Sequence, residues 1–383
     1  MPLNIENLTI HSYRRLQNVE LRELGRVNLL VGENNSGKTT ILEAVSTFCR
    51  PLDPLEWLGA ARRREIKASR QPLLDAVRWL FPQQGADAEG AYFSGMVRVE
   101  GTGAFPCRKS TARIVGLVGD YESDGSISPL LDDEGDENSE WAESEGPPGS
   151  VGTGTFDERG ADITLSAAMA DGTEREEHFR LWENERYVSR GAPNEPLLTV
   201  ATVSPFAHRV EQLQVSQLSE ATLTRKKFSA IEVVQLIDPD IEDLQVLSRQ
   251  GIRPTVYVQH KRTGFTPLSA LGDGIRRVLT IALNVAYCRG GVLLIDEIET
   301  AIHKRALGCV FEWLVKACIH HDVQLFATTH SLDAVDAIVA AKQVDLHEVN
   351  GFRLEPMDAT IRARRYSGEL LHRLRYERGL DVR

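Results

Sequence analysis

Val27-Asn28-Leu29-Leu30-Val31-Gly32-Glu33-Asn34-Asn35-Ser36-Gly37-Lys38-Thr39-Thr40 decides the fold of this chain. Its first five residues form an apolar run of the kind that makes a strand buried on both faces. Residues 32–39 then fit the phosphate-binding pattern G-x-x-x-x-G-K-[ST] without a mismatch. Residues 38–48 read as a helix that stops before Pro51. Strand, glycine loop and helix come in the order that phosphate binding needs. The glycines Gly32 and Gly37 let backbone N–H groups curl around phosphate oxygens, and the helix N-terminus adds partial positive charge. In this loop Lys38 is placed to reach the β- and γ-phosphates of ATP, and the Thr39 hydroxyl to ligate Mg²⁺. Glu33, Asn34, Asn35 and Ser36 form the turn, and Thr40 completes the nucleotide-binding set.

Three further segments carry chemistry. Gly291-Val292-Leu293-Leu294-Ile295-Asp296-Glu297 is a buried strand delivering two carboxylates at its C-terminal end, where ligands of α/β sheets sit. Asp296 is a candidate to hold Mg²⁺, and Glu297 to polarise the attacking water as general base. Val323-Gln324-Leu325-Phe326-Ala327-Thr328-Thr329-His330-Ser331 is another buried strand, ending on a histidine placed in chain order to sense a γ-phosphate. Leu268-Ser269-Ala270-Leu271-Gly272-Asp273-Gly274-Ile275-Arg276-Arg277 is a Ser/Gly-rich turn opening a helix. Capping and tight packing account for such a turn equally well in isolation. Its place shortly before the Asp-Glu strand makes it a candidate phosphate-contacting loop, serving a partner's nucleotide if it lies far from its own P-loop.

P-loop, Leu-Ser-x-x-Gly-type signature, Asp-Glu strand and Thr-His loop, in that order, resemble an ABC ATPase. The wording of 268–277, 295–303 and 328–331 is closest to the AAA15-type ATPases. These are relatives of the ATPase half of overcoming-lysogenization-defect (OLD) nucleases and, more distantly, of RecF and SMC proteins. The resemblance covers about residues 1–50 and 205–345 and implies an α/β, ABC-type P-loop ATPase with an antiparallel β subdomain and a helical insertion. It implies a homodimer or higher oligomer formed around ATP, with Ser269, Gly272, Asp273 and Gly274 contacting the nucleotide of the other subunit. Residues 299–303 would be the D-loop at the seam, and His330 the switch histidine. Arg14 resembles the early aromatic-Arg of this group and is a candidate nucleotide contact, with solvated surface as the alternative. A Q-loop glutamine is expected among Gln71, Gln83 and Gln84. The signature lacks the Ser-Gly-Gly of transporters, against a transport role.

Bulk composition agrees with a globular protein. Of 383 residues, 42% are hydrophobic and 26% charged, so the chain can bury a sizeable core. No apolar run approaches the roughly 20 residues that span a bilayer. The N-terminus lacks a signal-peptide pattern, so the cytoplasm is expected, with no membrane partner. The five scattered cysteines form no CxxC pair and read as buried thiols, and His320-His321 reads as a solvated helix end. The net charge of −11 is local: residues 120–145 hold eleven acidic residues and no Lys or Arg, leaving the rest formally neutral.

The whole chain reads as a single ABC-type domain. Its P-loop lobe covers about residues 1–205, with a mobile acidic loop at about 119–155. A helical insertion at about 206–240, a signature and Asp-Glu lobe at about 241–350, and a basic tail at about 351–383 complete it. Strands at 8–10 and 27–31 open it and flank a polar turn region. A helix is expected at 73–80, and segments 92–99, 112–118, 163–167, 178–182 and 197–203 suggest a small antiparallel sheet. Two more strands are expected at 244–247 and 255–260. Asp238-Pro239-Asp240 reads as a helix-to-strand turn, and only 53 residues follow His330, so no Toprim nuclease is expected in this chain. Two functions follow. One is the ATP-driven sensor or scaffold of an antiphage system controlling a separately encoded effector, such as a Toprim nuclease. The other is a RecF/SMC-like clamp binding DNA in repair.

Overall fold

The computed structural model describes residues 2–64, 72–82, 93–120, 157–183, 197–224, 227–248, 253–341, 345–357 and 360–383. Strands β1 (Asn7–Tyr13) and β2 (Leu16–Leu21) form an antiparallel hairpin ahead of β3 (Val27–Val31). The P-loop leads from β3 into helix α1 (Lys38–Cys49), followed by α2 (Pro54–Arg62) and α3 (Leu73–Arg78). Strands β4 (Ser94–Thr102), β5 (Cys107–Asp120), β6 (Asp157–Met169) and β7 (Glu174–Trp182) complete a six-stranded sheet ordered β2-β1-β4-β5-β6-β7. Its described pairs are all antiparallel.

After β8 (Val200–Val203) come α4 (Glu211–Leu223) and α5 (Lys227–Gln235), then β9 (Ile241–Leu247), β10 (Thr255–His260) and β11 (Gly264–Pro267) in a three-stranded sheet. The remainder alternates: α6 (Asp273–Tyr287), β12 (Val292–Ile295), α7 (Lys304–His320), β13 (Gln324–Thr329), α8 (Leu332–Val339), β14 (Val349–Met357), β15 (Thr360–Ser367) and α9 (Gly368–His372). The central sheet runs β15-β14-β3-β13-β12-β8, parallel except at the β15 edge.

Side chains of a strand point alternately to opposite faces, so a continuous apolar run feeds two cores. Leu30, Leu294 and Phe326 enter a core shared with α1, α2, α3 and the antiparallel sheet. Leu29, Val31, Leu293, Ile295, Leu325 and Ala327 enter a second core with α5, α6, α7, α8 and β9–β10. The P-loop helix therefore packs on one face of the sheet and the signature helix on the other.

Three expectations need correction. Residues 197–203 were expected in the antiparallel sheet, but β8 lies parallel beside β12, because Val200 and Val203 serve opposite cores. The segment 16–21 read as a polar turn, yet it is β2. An irregularity at Asn18, whose φ is 52°, breaks the alternation and leaves Leu16, Val19 and Leu21 buried. The basic tail is not a tail: β14 pairs with β3, and β15 closes that edge of the sheet. Its register leaves Arg362 and Arg364 exposed, while Phe352 and Tyr366 are buried. Of the acidic stretch, residues 121–156 lie outside the described residues, as do Gln71, Gln83 and Gln84.

One buried amide ties the two sheets together. Gln324, with no exposed surface, accepts from Ile5 N–H at 2.9 Å and donates to the carbonyls of Ile5 at 2.7 Å and Gly25 at 3.1 Å. Replacing it by leucine keeps the volume but orphans three buried backbone groups, at about 1–3 kcal/mol each when unsatisfied. Gln324→Leu is expected to lose about 3 kcal/mol or more of unfolding free energy. Urea denaturation checks this, and an unchanged midpoint would contradict the assignment.

Candidate functional site

Because β3, β12 and β13 run parallel, their C-terminal ends open on one edge of the sheet, and the chain places Gly32, Asp296 and His330 directly after them. The loop from Gly32 to Gly37 bends through positive φ at Gly32 (148°), Asn35 (64°) and Gly37 (91°). At Gly37 a Cβ would also meet Leu16 Cδ2 at 2.9 Å, so both backbone angle and space demand glycine. Glu33, Asn34 and Asn35 are exposed, whereas Ser36 is buried with its hydroxyl unpartnered, an orphan donor inside a loop shaped for an anion. The Lys38 ammonium folds back to donate to the Gly32 and Glu33 carbonyls, both at 2.7 Å. Burial lowers its pKa, opposed by Asp296, Glu297 and Glu299.

A chain of hydrogen bonds links the P-loop to the carboxylates. Thr39 Oγ1 donates toward Asp296 at 3.1 Å, and Thr328 Oγ1 donates to Asp296 Oδ1 at 2.5 Å. The same Thr328 hydroxyl accepts from Glu297 N–H at 2.8 Å. Glu297 sits at φ 47°, and Thr300 Oγ1 donates to its Oε2 at 3.0 Å. Thr39 and Asp296 are thus a hydroxyl and a carboxylate within one ion's reach, a hard oxygen set that fits Mg²⁺.

Arg277, the last residue of the signature stretch, carried no expected role and proves central to this geometry. Its side chain has no exposed surface and donates to the carbonyls of Ser204, Asp296 (2.9 Å) and Glu297 (3.2 Å). Burial pushes its pKa down to about 10. A sequence signal existed: Arg277 runs straight into the largely apolar stretch Val278-Leu279-Thr280-Ile281-Ala282-Leu283, and a charge at the head of such a stretch needs buried partners.

The signature residues lie at the surface. Ser269 and Gly272 are exposed, and Gly272 caps α6 without a side-chain hydrogen bond. A capping role for Ser269 does not hold, because the helix begins four residues later. Gly274 faces the Ala301 carbonyl, 3.0 Å from where a Cβ would sit, so the signature packs on the segment 299–303 of its own chain. Asp273 is held by Arg209 at 3.0 Å and lies 3.6 Å from buried His208. His330 is half exposed, 3.7 Å from Glu299, and its carbonyl accepts from Arg383 at 3.0 Å.

Arg14 is no solvated surface residue. Its guanidinium pairs with fully buried Glu43 of α1 at 2.8 Å and reaches the carbonyls of Trp79 and Ala60. Arg64 binds the same carboxylate at 2.7 Å and donates to Thr40 Oγ1 at 2.7 Å. Elsewhere, Asp238, Asp240 and His260 converge. His260 Nδ1 accepts from the N–H groups of Arg262 and Thr263, while Nε2 faces Asp238 at 3.3 Å. Four cysteines are buried, and Cys309 is exposed.

Comparison with known proteins places this geometry. A profile described as "AAA domain, putative AbiEii toxin, Type IV TA system" matches residues 120–336, and one described as "AAA ATPase domain" matches residues 3–72. An uncharacterized protein of Methanocaldococcus jannaschii is 36% identical over 69 residues, 18% of this chain and 60% of its own length. The DNA replication and repair protein RecF of Rickettsia felis is 48% identical over 71 residues, 18% of each chain. This chain therefore spans less than two thirds of the curated relatives it matches. The SMC head domain from Thermotoga maritima is a distant likeness at 11% identity and a TM-score of 0.41, covering 95% of this chain and 100% of that one. The first profile spans more than half of the 383 residues, and the chain belongs to that AAA domain family.

Proposed function

We propose that this protein binds and hydrolyses ATP and that two copies close around the nucleotide. The observation that carries the reading is the hydrogen-bond chain Thr39–Asp296–Thr328–Glu297, in which a hydroxyl of β13 joins a phosphate loop to the two carboxylates that follow the adjacent parallel strand β12. The P-loop N–H groups and Lys38 receive the β- and γ-phosphates, and Lys38 exchanges its two loop carbonyls for phosphate oxygens. Thr39 and Asp296 would hold Mg²⁺, which would supply neutralisation of phosphate charge. Glu297, oriented by Thr300 and by its own N–H to Thr328, accepts a proton from the attacking water. His330 follows β13 beside Glu299, and its assigned role is to sense the γ-phosphate.

Dimerisation follows from the signature. Ser269 and Gly272 point an uncapped helix N-terminus outward, where it suits the phosphate of a second copy. We assign the protein to an antiphage system, as sensor or scaffold of a separately encoded effector, probed with a Toprim nuclease as the first candidate. The toxin–antitoxin wording of the matched family supports this. A second reading, a RecF-like clamp on DNA, is favoured by the RecF similarity and by exposed Arg362 and Arg364. It requires salt-dependent, ATP-stimulated DNA binding by the isolated protein.

Glu297→Gln is expected to trap an ATP-bound dimer, since hydrolysis that would release it is lost. Native mass spectrometry with MgATP reads this directly, and a monomer under those conditions would overturn the mechanism. Thr328→Val removes the hydroxyl between Asp296 and Glu297 without changing volume. It is expected to lower kcat about 10²-fold while leaving ATP affinity within a few-fold, as for groups acting in the transition state. Equal loss of affinity and kcat in steady-state phosphate release would refute that assignment.

A further inference from the structure

Beyond α9 the chain turns back to the candidate site, and Arg383 meets the backbone of His330. We propose that residues 378–383 form a strap that orients His330, with Arg383 as its positioning residue. This rests on the reading of His330 as the γ-phosphate sensor and adds what aims the imidazole.

The strap is built by a reversal and a clamp. The helical stretch opened by α9 ends at Gly379, whose φ of 62° turns the chain back. Gly379 N–H donates to the Arg375 carbonyl at 3.2 Å, and Leu380 N–H donates to that of Leu374 at 2.9 Å. Arg375 clamps the returning chain to α8. Its guanidinium donates to the two Asp336 oxygens at 2.6 and 2.8 Å and to the Leu380 carbonyl at 2.7 Å. Val382 is buried in the same core as Ala334, Val335 and Ile338 of α8. Because α8 starts two residues after His330, strap and histidine share one support.

The direction in which a side chain leaves the backbone is set by the two peptide planes that flank its Cα. At His330 each plane is held by a charged side chain. Glu299 Oε1 accepts from the His330 N–H at 3.4 Å, and Arg383 Nη1 donates to the His330 carbonyl at 3.0 Å. Hydrogen bonds to charged groups are the stronger kind. The fork of Arg383 is itself fixed, since Nε and Nη2 pair with Asp381 at 3.1 and 2.8 Å and leave Nη1 for the carbonyl. The imidazole, by contrast, is half exposed, and its Nδ1 stands 3.7 Å from Glu299, outside hydrogen-bond reach. The backbone therefore carries the aim. Glu299 begins the segment on which the signature turn packs, so His330 is held between the candidate site and the strap.

Steady-state phosphate release, calorimetric ATP titration and thermal unfolding are measured on the full chain. The variants are Arg383→Ala, Arg383→Lys, His330→Ala and the double variant of both alanine changes. Arg383→Ala is expected to lower kcat about tenfold, as for a displaced catalytic group, with ATP affinity within about twofold and an unchanged Tm. Arg383→Lys still donates to the carbonyl and should recover most of the rate. In the His330→Ala background, removing Arg383 should cost nothing further, because a residue that acts through His330 has nothing left to aim. An unchanged kcat in Arg383→Ala, or the same loss with and without His330, overturns the strap. A loss that lysine does not restore and that accompanies a lowered Tm overturns it too, since support of the fold then explains the effect. Wild-type kcat in His330→Ala would instead remove the sensing role of His330, and absence of hydrolysis by wild type would remove the ATPase reading; the strap falls with either.

Discussion

The strands Val27–Val31, Val292–Ile295 and Gln324–Thr329 are covered on both faces, so their side chains have no freedom to be polar in mid-strand except where a hydrogen bond is built for them. Asn28 and Gln324 are such cases, each bonded to backbone groups on neighbouring segments. Polar chemistry is thereby driven to the strand ends. Parallel pairing brings those ends to one edge, and the loops there converge into a site.

At that edge the charges are balanced through the backbone as well as through side chains. Asp296 and Glu297 turn sharply after β12, with Glu297 in the left-handed region that disfavours non-glycine residues. Arg277 donates to both of their carbonyls and to that of Ser204, closing the turn from behind. A buried guanidinium without partners would be costly, and three carbonyls supply them. The consequence is mechanical: α6, which begins at the signature, is hydrogen-bonded to the turn that carries Glu297.

The P-loop flank is organised by a different buried charge. Glu43 on α1, with no exposed surface, receives Arg14 from the β1–β2 turn and Arg64 from beyond α2. Three segments distant in sequence are thus gathered around the first helical turn after the phosphate loop. The antiparallel subdomain is in this way coupled to the nucleotide end of α1 by an ion pair shielded from water, where screening by salt is weak.

Much of this was legible in the sequence because local chemistry dictated it. A buried strand, two obligatory glycines and a Lys-Thr pair at a helix start together build a phosphate cradle from neighbouring residues alone, and residues 32–39 fold as that pattern requires. The carboxylates and His330 were legible as strand-end residues. What the sequence left open was decided by pairing partners and burial. β8 looked like any short strand, and only packing between two cores placed it beside β12. The arginine-rich segment 360–367 read as a basic tail, because alternating exposed arginines hide the buried face that joins it to the sheet. Arg14 offered two readings from its neighbours in sequence, and its pairing with Glu43, 29 residues away, removes that of solvated surface. Periodicity reports which face of a segment is apolar. It cannot report which distant carboxylate or strand will meet that face, since the meeting depends on the whole chain closing around it.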